Sequence, residues 1–252
     1  MKFSYVDLIS GDSIPVSGIG HIRPPKLKDL KPTGGIGTWL YNFYLNILSW
    51  DKEETLTFMK TAGIQTDKMA AKEDLTTYDV LVLIPNFRQL LRDAMAFFID
   101  ELLVWDDSTF AFKTYEKDDD QKVIGVINRN NYEEVRDMML QVNYIGLGDK
   151  AKPTKFIDDK AKQMWEEIQE HLKKSKPHED KRMELGNIIS KLCAANSGYT
   201  LLNIYDLTIF QLYDQFFQYG YLRAMDLNER AFSVHGGKEF NFEKWLEPIL
   251  KI

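Results

Sequence analysis

Apolar positions in the first part of the chain change period several times. From Thr38 to about Trp50, Leu40, Phe43, Tyr44, Ile47 and Leu48 recur at helical spacing. Asp51 is placed to cap a second helix that contains Leu56, Phe58 and Met59. Asp79 to Ile84 is an apolar run of strand length. Pro85 then fits the first turn of a helix carrying Phe87, Leu90, Leu91, Ala94, Phe97 and Phe98. Leu102 to Trp105, Phe110 to Tyr115 and Val123 to Ile127 read as strands, the last two joined by a charged turn at 116–121. Asn131 caps a helix through Val135, Met138, Met139 and Val142. At the start, residues 3–17 read as a β-hairpin turning at Gly11-Asp12, and Pro15 makes the returning strand an edge. Ile22 to Pro25 must be extended, because each proline biases its predecessor out of the α region. Lys26 to Leu30 is one short turn, and Pro32 to Gly35 breaks the chain again.

Beyond a linker at 146–154 the pattern becomes helical. Ile157, Ala161, Met164, Ile168 and Leu172 form a stripe, with Asp158 and Asp159 at its start and Lys173 and Lys174 at its end, as the helix dipole prefers. A second helix runs from about Lys181 to Ala195, and a third starts at Asp206, its N-cap, and passes Phe217. The expected fold is α+β and predominantly helical. An N-terminal hairpin and mixed helix and antiparallel-strand region fill residues 1–148, and a helical bundle fills 155–252.

Composition adds an excess of rings. The 15 Phe, 12 Tyr and 5 Trp of the 252 residues make 13% of the chain, which an acidic protein must place in its core or on a partner surface. The clusters at 39–50 and 87–105 read as core. The stretch 205–221 holds more than one buried face needs. Phe210, Tyr213, Phe217 and Tyr221 follow one face, while Ile209, Leu212, Phe216 and Tyr219 follow another. Two readings stand: a central bundle helix, or a helix with one face docking a partner protein. The basic, extended segment Arg23, Pro24, Pro25 and Lys26 likewise reads either as a solubilising loop or as a rigid docking segment for an acidic or phosphate surface.

Charge and motifs narrow the classes. A formal net charge of −6 disfavours a dedicated nucleic-acid binder, and Cys193, the single cysteine, precludes a disulfide framework within the chain. The longest uncharged stretch, Pro32 to Trp50, holds only about 13 residues of regular helix, too few to span a bilayer. With no export signal apparent, the expected compartment is cytoplasmic. Gly18-Ile19-Gly20 and Gly34-Gly35-Ile36-Gly37 match no nucleotide-binding fingerprint and read as turns. His21, His171, His178 and His235 have no metal-ligand spacing, and Asp118 to Asp120 lack the calcium-loop pattern. Cys193 reads as a packed thiol, and no Gly-x-Ser-x-Gly elbow frames Ser10, Ser13 or Ser17. No cofactor, metal or catalytic residue is assigned. A hydrolase or nuclease with a dispersed metal site stays open as an alternative.

Two segments resemble a known group. Residues Ser17 to Leu30 (SGIGHIRPPKLKDL) and Leu202 to Phe216 (LNIYDLTIFQLYDQF) are similar to N- and C-terminal segments of phage tail assembly chaperones and tail-associated assembly proteins from Gram-positive hosts. The resemblance implies a non-enzymatic protein of the infected bacterial cytoplasm. It would bind tape-measure and tail-tube proteins, and neither nucleic acid nor membrane. A structural tail or baseplate component is the alternative, and the oligomeric state is open.

Overall fold

The computed structural model describes residues 3–70, 72, 74–117, 119–146, 184–195 and 198–235. The chain divides into two compact units: Met1–Gly146 with Tyr205–Gln211, and Leu147–Ile204 with Leu212–Ile252. The secondary structure is α+β and mostly helical, as expected.

The first unit opens with a helix, α1 (Tyr5–Ser10), although the alternation there predicts a strand. Ser4 and Asp7 form a reciprocal capping box, and Gly11 stops the helix at φ 75°. These end signals outweigh the short alternation between them. The hairpin follows one element later, as β1 (Ile14–Val16) and β2 (Gly20–Ile22), with Ile14 opposite Ile22 and Val16 opposite Gly20. A 3-10 turn at Leu27–Leu30 leads to α2 (Gly37–Ser49). Next come α3 (Lys52–Thr61), capped by Asp51, and the short α4 (Asp67–Ala70).

The apolar run after Thr76 is a helix, α5 (Thr77–Leu83), and not a strand. Thr76 and Asp79 make another capping box, and Thr77, Tyr78, Val80, Leu81 and Val82 are all buried. A helix buried on most sides loses its polar periodicity, so it looks like a core strand in sequence. Ile84 is extended before Pro85, which sits in the first turn of α6 (Pro85–Phe98).

The antiparallel sheet of β3 (Leu102–Asp106), β4 (Ala111–Glu116) and β5 (Asp119–Ile127) has the order β3-β4-β5. Because β5 starts at Asp119, the charged turn is shorter than 116–121. Helix α7 (Tyr132–Gln141) follows Asn131. Asn131 donates to the Val126 carbonyl at 2.7 Å and accepts from the Asn128 N–H at 2.8 Å, tying the strand end to the helix start.

The core of this unit lies where α2, α5, α6 and α7 bury Leu48, Leu81, Leu91, Phe98 and Met139 with Phe112 of β4. The hairpin is stitched to it. His21 accepts from the Asp100 N–H at 3.0 Å, and the Arg23 N–H donates to Phe98 at 2.8 Å. The Thr114 hydroxyl donates to the Ile19 carbonyl at 2.6 Å.

The described part of the second unit holds α8 (Leu185–Ala195) and most of α9 (Ile209–His235), which follows a 3-10 turn at Ile204–Asp206. The unit boundaries assign Tyr205–Gln211 to the first unit. Ile188, Ile189 and Leu192 of α8 are buried, and Cys193 is partly exposed. The expected 157–172 helix and residues 181–183 lie outside the described residues.

Candidate functional site

The two segments singled out near opposite ends of the chain meet inside the first unit. The Leu27 N–H donates to the Leu207 carbonyl at 2.9 Å, and the Ile209 N–H donates to Pro25 at 2.9 Å. Between them Lys26 and Thr208 form an antiparallel bridge. The prolines make this join possible. They hold residues 22–25 extended, while the Pro25 carbonyl is free to accept.

Side chains reinforce the joint. The Lys28 ammonium lies 3.0 Å from Asp206, and this hydrogen bond holds the Asp206 carboxyl below its ordinary value. The Lys31 ammonium sits 4.1 Å from the centre of the Tyr205 ring. Asp206 is therefore an ion-pair partner and not the N-cap of α9. That role belongs to Thr208, whose hydroxyl accepts from the Gln211 N–H at 3.1 Å while the Gln211 amide oxygen accepts from the Thr208 N–H at 2.9 Å. The Gln211 amide also donates to the Ile9 carbonyl at 2.8 Å, which ties α1 to the same joint.

The candidate partner-binding residues divide accordingly. Pro24, Pro25 and Phe210 are buried, so they are not exposed docking residues in this conformation. Phe210 packs edge-on to Tyr5 at 6.3 Å and beside Tyr144 at 5.2 Å. Arg23 is half-buried and spends its guanidinium on the Phe97 carbonyl at 3.0 Å and on the Phe97 ring. Lys26 keeps part of its side chain exposed while its N–H donates to Asp29 at 3.0 Å. The extended basic segment thus works as an internal strut, because its apolar and backbone groups find partners in the same unit. Tyr213, Phe217 and Tyr221 belong to the second unit. Phe217 is partly exposed, Tyr221 half-buried, and burial pushes the Tyr213 phenol up.

Trp39, in the 39–50 ring cluster that reads as core in sequence, is 75% exposed. Its helical phase carries the signal: the arc of α2 holding Tyr41, Ile47 and Leu48 is buried, and Trp39 lies opposite. Trp39 stacks on Phe43 at 5.6 Å and 6°, Phe43 meets Phe58, and Phe58 contacts both Trp50 at 4.5 Å and buried Phe87 at 5.9 Å.

Among the described residues no group of three or more His, Cys, Asp or Glu is placed to hold a metal ion. His21 pairs with the buried Glu101 at 2.7 Å, while His171 and His178 lie outside the described residues. Glu101 also accepts from the His21 N–H at 2.8 Å, so it anchors the hairpin. A shallow depression on α9 is lined by Asp226, Glu229, Arg230 and Ser233, with Arg230 paired to Asp226 at 3.1 Å. No helix among the described residues is long and apolar enough to cross a membrane.

No curated protein and no solved structure matches the chain. Residues 173–249 match the family model of the YomV second domain. YomV is phage-encoded, and the match suggests a phage-related protein.

Proposed function

We propose that this chain is a phage tail assembly chaperone: a non-enzymatic protein that binds tape-measure or tail-tube proteins during tail morphogenesis, in the cytoplasm of the infected bacterium. The observation that carries the reading is the joint between residues 25–28 and 206–209. It lies within the two segments that resemble tail assembly proteins, so the likeness falls on one structural feature. The match of 173–249 to a domain of a phage-encoded protein supports the phage setting. Of the aromatic residues marked for partner contact, Phe217 and Tyr221 retain exposed surface, and Tyr or Phe rings suit the anchoring of an apolar helix.

The test is affinity capture of the tagged full-length chain from infected or lysogenic cells. Recovery of the tape-measure or tail-tube protein is the expected result, together with absence of the chain from purified particles. Recovery of nothing from the tail module would overturn the proposal. Stoichiometric presence in purified virions would make the chain a structural tail or baseplate component instead. A metal-dependent hydrolase or nuclease activity, lost on chelation, would overturn the non-enzymatic reading.

A further inference from the structure

Helix α2 turns a charge-free face outward. Its exposed arc is Thr38, Trp39, Asn42, Asn46 and Ser49, and no residue from Pro32 to Trp50 is charged. Among the described helices of eight or more residues, α2 alone carries no charged side chain. Exposed helix faces are normally polar and charged, and depletion of charge around an aromatic anchor marks the centre of an interface. Trp39 is held ready for that role by the ring stack that runs through Phe43 and Phe58 to buried Phe87, so little rotamer freedom is lost on contact.

Charge identifies what covers this face. Each copy of the chain carries −6, so two copies meet most readily where neither presents charge. Beyond the ends of the helix the charges have opposite signs. Exposed Lys31, its ammonium over the Tyr205 ring, precedes α2, and exposed Asp51, Glu53 and Glu54 follow it, Asp51 and Glu54 also bonding each other in the α3 capping box. Lys52, among those acids, donates its ammonium to the Lys72 carbonyl at 2.7 Å. Two α2 helices packed antiparallel about a two-fold axis bring the lysine end of each copy to the acidic end of the other, over about 20 Å of neutral contact. A parallel arrangement would bring like charges together at both ends.

We propose that the outward face of α2 is a homodimer interface, in which two copies pack antiparallel with Trp39 as anchor and Asn42 and Asn46 beside the axis. This inference stands apart from the tail-assembly reading.

Sedimentation velocity of the full-length chain from micromolar to millimolar concentration tests it. A dimer is expected. Trp39→Glu should raise the dissociation constant by about thirtyfold or more, with an unchanged circular dichroism spectrum. Asn42→Lys and Asn42→Glu should each dissociate the homodimer, and mixing the two should restore a heterodimer. The Asn42 pair keeps the test intact if Trp39→Glu fails to fold. A chain that stays monomeric throughout would overturn the proposal. So would a dimer whose dissociation constant none of these substitutions moves. A monomer that binds a tail protein through Trp39 would assign the face to that partner instead.

Discussion

Two neighbouring tyrosines show how much a buried hydroxyl depends on its partners. Tyr78 and Tyr132 lie 5.3 Å apart between ring centres, and burial pushes both phenols up. The Tyr78 hydroxyl donates to the Phe110 carbonyl at 3.1 Å and lies 3.3 Å from that of Ile127, whereas the Tyr132 hydroxyl is buried without a hydrogen-bond partner. Tyr78→Phe should therefore destabilise by about 1–2 kcal/mol, and Tyr132→Phe should be neutral or stabilise by up to about 1 kcal/mol, read from urea midpoints. At the β3–β4 turn, the Lys113 ammonium, the Ser108 hydroxyl and N–H, and the Thr109 hydroxyl hold the Asp106 carboxyl well below the usual carboxylate range. A depressed carboxyl stabilises the fold above its unfolded pKa, and this contribution is lost as pH falls through the folded value. Asp106→Asn should be less stable than the parent at neutral pH, with the gap closing below about pH 4 in a series of pH-dependent melts.

Elements form here where their end signals are strong. The capping boxes at Ser4, Asp51 and Thr76 start α1, α3 and α5, and two of these helices occupy segments whose alternation or apolar run reads as strand. A few residues of alternation contain too little periodic information to outweigh a cap, and a fully buried helix contains almost none. The start of α9 is a further case. Both Asp206 and Thr208 are N-cap residue types, and the choice is made by Lys28, which takes Asp206 into an ion pair, and by Gln211, which completes the box with Thr208. Thr208→Ala should cost about 1 kcal/mol of stability, measurable by urea unfolding, and Thr208→Ser should retain most of it. Trp39 belongs to a cluster of rings that reads as core, and its outward phase follows only once the buried arc of Tyr41, Ile47 and Leu48 is known.

At the scale of the molecule, residues far apart in sequence make the contacts that close the first unit. The hairpin turn seats on β5, where the Val126 N–H donates to the Gly18 carbonyl at 3.0 Å. A Cβ on Gly125 would stand 2.0 Å from that same carbonyl oxygen, so the backbone itself forbids a side chain. Gly125→Ala should destabilise by about 2 kcal/mol or more and loosen the hairpin, detected as faster amide exchange at Val126. By itself the sequence determined the predominantly helical α+β class, the three-stranded antiparallel sheet, α2, α3, α6 and α7, and the extended course of residues 22–25. Local periodicity, caps and prolines are enough for those. Only the tertiary structure decided that Pro24, Pro25 and Phe210 are buried, that residues 25–28 bond to 206–209, and that Trp39 faces outward. Burial and pairing depend on which distant surfaces meet, and a residue's own neighbours in sequence do not carry that information.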